Sequence, residues 1–166
     1  FQFPVFNSEA ENELIKEIKK LNEDEHVDGI IVQLPLPKEI DSEKIVNMIE
    51  KRKDADGLVL GSEVTPATAR GVMALLNFYQ IPIEGKKVAV IGRSRLAGGP
   101  IAEIMKKRGG EVIVCNRSTI NTAQICKEAD ILVSAAGNPG LVTKEFVRKG
   151  QVVVDVGINR IGGKIV

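Results

Sequence analysis

The sequence predicts an α/β protein: a parallel β-sheet with helices on both faces, preceded by part of a smaller α/β domain. Three observations predict it. Between Lys86 and Ile158, four short runs rich in β-branched residues alternate with helical stretches, the pattern of strands joined by helical crossovers. Each run ends next to glycine, serine or asparagine, residues that let a chain leave a sheet tightly. Before Pro82 the order differs: helix, one apolar run, helix, polar loop, helix. The expected organisation is therefore residues 1–64 as a partial α/β domain, 65–81 as a linking helix and 82–166 as the sheet domain.

Taken in order, "NSEAENELIKEIKKLN" is an amphipathic helix with Ser8 and Glu11 as a capping box and Leu14, Ile15, Ile18 and Leu21 as one stripe. "GIIVQL" (Gly29–Leu34) is continuously apolar and β-branched, the mark of a buried parallel strand, and Pro35 ends it. "DSEKIVNMIEK" is a helix capped by Asp41 or Ser42, and "KRKDADG" is a polar loop. Thr65 caps the next helix, with Pro66 at its first position. Then follow a strand in "KKVAVIG", a helix opening with Pro100 and closing at Gly109, a strand in "EVIVCN", a short helix in "TAQICKEA" and a strand in "DILVSAA". A helix capped by Thr143 and ended by Gly150 leads to the last strand, "QVVVDVGI".

Composition bounds the function. The 166 residues are 43% hydrophobic, enough for a real core. A net charge of +1 gives no bulk attraction to nucleic acid or an anionic membrane, and 4% aromatics with no Trp disfavour a base-stacking surface. Cys115, Cys126 and the single His26 do not form a metal-ligand pattern, so no metal is expected. Both thiols fit buried positions in a reducing cytosol, which makes a cytoplasmic location the expectation. No run is long enough to span a membrane. The chain starts at Phe1 without Met and stops on Val166, and so reads as a piece of a longer protein.

The strand ends carry the chemistry. Ligands of an open parallel sheet sit at the carboxyl ends of its strands, here Gly92-Arg93-Ser94, Cys115-Asn116-Arg117, Ala135-Ala136-Gly137 and Val156-Gly157-Ile158. The first precedes a helix N-terminus, where backbone N–H groups favour phosphate; Gly98 and Gly99 allow close approach. An NAD site places an acid at the end of the second strand, to bond the ribose 2′-hydroxyl. "CNRS" has no acid and one arginine. Arg93 and Arg117 can converge on a 2′-phosphate; the plain alternative is two solvated surface arginines.

"GIIVQLPLP", "KDADG", "TPATARGV", "VIGRSRLAGGP", "ADILVSAAGNPG" and "VVVDVGINR" together resemble the bifunctional methylenetetrahydrofolate dehydrogenase/cyclohydrolase family, over nearly the whole chain. The resemblance implies a Rossmann-type NADP-binding domain behind a folate-binding catalytic domain. It implies oxidation of 5,10-methylenetetrahydrofolate with NADP and hydrolysis of the methenyl product to 10-formyltetrahydrofolate. By resemblance Gln33 stands where the family's glutamine orients the catalytic lysine, and Asp56 where its aspartate binds the pteridine. Gly92, Arg93, Ser94, Arg117 and Ile158 stand on the cofactor side. It also implies a cytoplasmic homodimer joined through the cofactor domain, with tetrahydrofolate derivatives as substrates. The family's lysine and its tyrosine neighbour fall upstream of Phe1, so this segment alone is expected to be impaired in both reactions. The loop "LVLGSEV" after Gly57 is shorter than the family's, and Val166 stops before its last proline- and glycine-rich segment. Read residue by residue, Gln33 can instead tie off a strand end and Asp56 can be a turn residue before Gly57. Two other functions fit part of the pattern: a shikimate-type dehydrogenase, from "NRS", and a non-catalytic nucleotide-binding module.

Overall fold

A computed structural model of the chain describes residues 10–158, 160–161 and 164–165. The chain divides into two units, Phe1–Thr65 and Pro66–Val166.

In the first unit, α1 (Ala10–Glu23) turns the stripe of Leu14, Ile15, Ile18 and Leu21 onto Ile30, Val32, Ile45, Val46 and Val59. Ser8 lies outside the described residues. Glu11 is engaged from another element, its Oε1 accepting from Lys44 Nζ at 2.6 Å. Asp41 is the cap of α2 (Ser42–Val46): its Oδ1 accepts from the N–H groups of Glu43 and Lys44. This helix is shorter than its sequence suggests. The buried Asn22 side chain bonds the Met48 carbonyl and the Glu50 N–H, and so draws the chain away from the helical path.

The run Gly29–Leu34 does not form the expected strand. Only Ile30 makes a bridge, parallel, to Asp54. Side chains alternate instead of all burying: Ile30 and Val32 are buried, whereas Ile31 is 58% exposed. A ladder is cooperative, and among the described residues one bridge is all this run is offered.

In the second unit, α3 (Ala67–Phe78) starts one residue later than expected. Pro66 is its cap position, and Thr65 makes no side-chain hydrogen bond among the described residues. Its buried face of Ala69, Val72, Met73 and Leu76 packs into the core of this unit, so the helix expected to link the units belongs by packing to the second. Four strands follow: β1 (Lys87–Ile91), β2 (Glu111–Cys115), β3 (Ile131–Ser134) and β4 (Val152–Asp155). They pair all-parallel in the order β2-β1-β3-β4. Alternate residues feed opposite faces. Val88, Val90, Ile131 and Val133 meet α3 and α4 (Gly98–Lys107). Ala89, Ile91 and Leu132 meet α5 (Thr122–Glu128) and the 141–147 loop. The central strands are thus covered on both faces, as their uninterrupted apolar character requires, whereas Ile113 of β2 and Val153 of β4 stay about half exposed on the α5 side.

Two further elements depart from expectation. Helix α4 begins at Gly98, ahead of Pro100, because both glycines already hold helical backbone. The segment Val142–Gly150 makes only a turn, with Phe146 N–H donating to the Thr143 carbonyl. Long-range bonds hold it as a loop: Arg148 donates to the Lys127 and Ala129 carbonyls and to Asp130, and Gln151 Nε2 donates to the Cys126 and Ala129 carbonyls. Tertiary bonds override modest helix propensity here. Residues 160–161 and 164–165 form a small antiparallel pair.

Cys115 and Cys126 are both free and buried. Burial, reinforced by the adjacent Cys115, pushes the Cys126 thiol up to about 12, so it stays protonated and unreactive at neutral pH. Among the described residues no helix is long and apolar enough to cross a membrane.

Candidate functional site: a strand-end rim and an acidic loop

The carboxyl ends of the four strands form one row. Ile91 is in register with Cys115 and Ser134, and Ser134 with Asp155. Each exit is tied to its neighbour: Gly92 N–H donates to the Cys115 carbonyl (2.8 Å), Ala135 N–H to Ile91 (2.8 Å) and Val156 N–H to Ser134 (2.9 Å). A pocket of about 100 Å³ opens at the β3 and β4 ends, lined by Ser134, Gly137, Asn138, Gly140, Asp155 and Gly157.

The β1–α4 turn shows what its glycines do. Gly92 sits at φ +103°, and a Cβ there would lie 2.7 Å from the Ala135 carbonyl oxygen. A Cβ on Gly98 would overlap the Gly92 carbonyl oxygen. Gly98 is therefore needed for contact of chain with chain, where the sequence suggested room for a ligand. Gly99 N–H closes the turn onto the Ser94 carbonyl (2.9 Å). Arg93 and Ser94 project outward, exposed, and Ile158 is 74% exposed at the far end of the row. Its carbonyl lies about 4.0 Å from where a Gly137 Cβ would stand.

At the β2 end Arg117 is exposed. Neither Arg93 nor Arg117 makes a hydrogen bond or ion pair among the described residues. Arg52 and Arg148, by contrast, pair with Glu50 and Asp130. The rim thus combines a helix N-terminus, a glycine turn and two uncommitted guanidinium groups, a donor set that fits the phosphates of a dinucleotide with a 2′-phosphate. No group of three His, Cys, Asp or Glu side chains gathers as a metal set among the described residues.

In the first unit, sequence reasoning singled out Asp56 and missed Asp54. Asp54 is 3% exposed and organises the loop: its carboxylate accepts from the N–H groups of Gly57 (2.9 Å), Leu58 (3.2 Å) and Val59 (2.9 Å). The neighbouring Lys53 is also buried, its ammonium donating to the Leu21 and Asp24 carbonyls at the end of α1. The signal was present in the spacing of Asp54 to Gly57, an aspartate three residues before a glycine at φ +72°. Asp56 is not the turn residue. It is half-buried and accepts no hydrogen bond among the described residues. Gln33 is exposed and its Nε2 donates to the Leu34 carbonyl (2.9 Å). The parallel bridge Ile30–Asp54 sets the two segments that carry Gln33 and Asp56 side by side.

Burial alone pushes the Asp54 carboxyl up. Bonds from the Ser62 hydroxyl and the N–H groups of Val59, Leu58 and Gly57 outweigh it, and the net effect holds the carboxyl below its ordinary value. A group with a depressed folded-state pKa stabilises the fold above its unfolded value, roughly 3.9, and loses that contribution as pH falls through the folded value. Thermal melts between pH 7 and pH 3 are therefore expected to show acid destabilisation that Asp54→Asn largely removes. The variant should also be less stable than the parent at pH 7. An unchanged acid slope in the variant would assign the effect to other carboxylates.

Two family models match the chain. Residues 66–166 match the tetrahydrofolate dehydrogenase/cyclohydrolase NAD(P)-binding domain, and residues 2–56 match the catalytic domain of the same family. The bifunctional protein FolD of Acholeplasma laidlawii is 46% identical over 158 residues, covering 90% of this chain and 57% of its own length. The bifunctional FolD methylenetetrahydrofolate dehydrogenase/cyclohydrolase of Campylobacter jejuni superposes with a TM-score of 0.87 at 41% identity, over 94% of this chain and 59% of its own. The methylenetetrahydrofolate dehydrogenase-cyclohydrolase of Trypanosoma brucei, solved with NADP and an inhibitor, gives 0.84 at 36% identity, over 97% of this chain and 60% of its own. The chain thus spans a little under three fifths of the length of its curated relatives. Matches in both units leave the shikimate-type alternative without support, and the chain belongs to the tetrahydrofolate dehydrogenase/cyclohydrolase family.

Proposed function

We propose that this chain serves the NADP-dependent oxidation of 5,10-methylenetetrahydrofolate and the hydrolysis of the methenyl product to 10-formyltetrahydrofolate. The observation that carries the reading is the division of labour in Lys53–Gly57. Lys53 and Asp54 are committed to the fold, whereas the half-buried Asp56 carboxylate accepts no hydrogen bond among the described residues. A free carboxylate can accept two N–H bonds from a pterin edge. Gln33 spends its amide N–H₂ on Leu34, which leaves Oε1 to accept from a lysine ammonium and orient it. NADP, when bound, supplies the hydride acceptor. Gly92, Arg93, Ser94, Arg117 and Ile158 are the residues assigned to holding it. The domain roles follow: residues 1–64 bind folate and 82–166 bind the cofactor.

The partner and location follow the same reading. A homodimer joined through the second unit is favoured by the edge strand β2, with Ile113 53% exposed beside a groove of about 330 Å³ lined also by Ile125 and Glu128. Two free buried thiols accord with a cytoplasmic enzyme of one-carbon metabolism, whose formyl product serves purine biosynthesis.

The test is steady-state kinetics of the full-length protein. Asp56→Asn is expected to raise KM for methylenetetrahydrofolate about 10–100-fold, the worth of one or two charge-assisted bonds, with NADP affinity unchanged. An unchanged KM would remove Asp56 from the folate site.

A further inference from the structure

Asp56 lies between two anchored ends of the chain. Upstream, Lys53 and Ala55 bracket Ile30: Ile30 N–H donates to the Lys53 carbonyl (2.7 Å) and Ala55 N–H to the Ile30 carbonyl (3.4 Å). Gly29 permits this approach, since a Cβ there would stand 3.3 Å from the Ala55 Cβ. Downstream, Asp54 collects the N–H groups of Gly57, Leu58 and Val59, and the Ser62 hydroxyl donates to it as well. One buried carboxylate thus closes the turn that runs through Asp56 and anchors the buried Leu58 and Val59 that follow it.

This bonding needs both carboxylate oxygens. Oδ1 accepts from Gly57 and Leu58, and Oδ2 from Val59. An amide has one acceptor oxygen, so in Asp54→Asn an N–H₂ group must face either the Val59 N–H or the Gly57 and Leu58 pair. Unpaired buried N–H groups are costly, and the turn relieves them by shifting. Asp56 shifts with it, because its own carboxylate makes no hydrogen bond among the described residues that would hold it in place.

We propose that Asp54 is a positioning residue for folate: it touches no substrate, and it holds Asp56 where the Asp56 carboxylate meets the pterin edge. The inference rests on the folate reading of Asp56 and extends it to a residue which that reading assigns only to the fold. Its signature is dependence. A positioning residue can lose only what the group it positions contributes, so the effects of Asp54 and Asp56 on folate do not add.

The experiment is a double-mutant cycle in the full-length protein: the parent, Asp54→Asn, Asp56→Asn and both together. KM for methylenetetrahydrofolate, kcat and NADP affinity are measured well below each melting temperature. Asp54→Asn is expected to raise KM about 5–20-fold, with a smaller change in kcat and NADP affinity at the parent's value, because misplacing a binding group is felt steeply. In the Asp56→Asn background the same substitution should change KM by less than about twofold. Ser62→Ala removes one donor, leaves the carboxylate, and serves where Asp54→Asn folds poorly. It should raise KM roughly two- to fourfold, and that rise too should vanish beside Asp56→Asn. Three results overturn the inference and leave the folate reading intact: a parent-like KM in folded Asp54→Asn (or in Ser62→Ala where Asp54→Asn does not fold), full additivity in the cycle, or a loss of NADP affinity that parallels the rise in KM. A parent-like KM in Asp56→Asn overturns the folate reading, and this inference with it.

Discussion

Gly98→Ala is expected to destabilise the second unit by at least about 3 kcal/mol, a large part of the ~5–15 kcal/mol that holds a typical domain together. The new methyl group would overlap the Gly92 carbonyl oxygen, and neither side can yield locally. Gly92 is pinned at φ +103° with its N–H bonded to Cys115 and its open face against the Ala135 carbonyl. Relief requires α4 to move off β1, and that parts Ile101, Ala102 and Met105 from Val88 and Val90 in the core. Overpacking costs about 1–3 kcal/mol, and lost contacts of large core side chains about 2–5 kcal/mol each. Gly71→Ala is the control: it lies exposed in α3 with nothing within 4 Å of its added Cβ, and should stabilise by about 0.5–1 kcal/mol. Urea unfolding of the two variants should thus give shifts of opposite sign. Wild-type stability in Gly98→Ala would show that the β1–α4 turn can widen.

Legibility from sequence divides along the two units for a physical reason. In the second, each strand sends alternate residues to two faces, and the connections β1 to β2 and β3 to β4 join neighbouring strands. Only the β2-to-β3 connection passes over a strand, β1, so local pattern and tertiary role largely agree, and β1 to β4 stand where their apolar runs are. In the first, Gly29–Leu34 has the composition of a strand, but strand state belongs to a ladder, and among the described residues only Asp54 pairs with it. The misread Val142–Gly150 segment has the same origin. Its periodicity is helical, yet Arg148 and Gln151 bond to carbonyls around Ala129, partners no local window contains. The same holds for the site. Arg93 and Arg117 were legible because strand ends are. Asp54 was hidden by its neighbour: both aspartates precede Gly57, and only the geometry of the N–H groups of Gly57, Leu58 and Val59 shows which one turns the chain.

Removing the guanidinium of Arg93 or Arg117 is expected to weaken NADP binding about 10–100-fold and leave NAD binding nearly unchanged. A phosphate monoester carries about 1.5–2 negative charges near neutral pH, and a well-made charge-assisted bond is worth roughly 1.5–3 kcal/mol. Tenfold in affinity is about 1.4 kcal/mol. Surface arginines ordinarily contribute far less because solvent screens them and their own partners compete. Here neither has a partner among the described residues, and both flank the turn next to Gly92. The exchange from arginine to alanine therefore breaks no internal bond, and any loss of stability should be small. The double variant should lose less than the product of the two single losses, because two donors on one phosphate share its charge. Calorimetric titration of both cofactors into the full-length protein and the three variants reads all of this directly. Equal losses for NADP and NAD would place the arginines on the pyrophosphate common to both cofactors, and selectivity would then have to arise elsewhere on the rim.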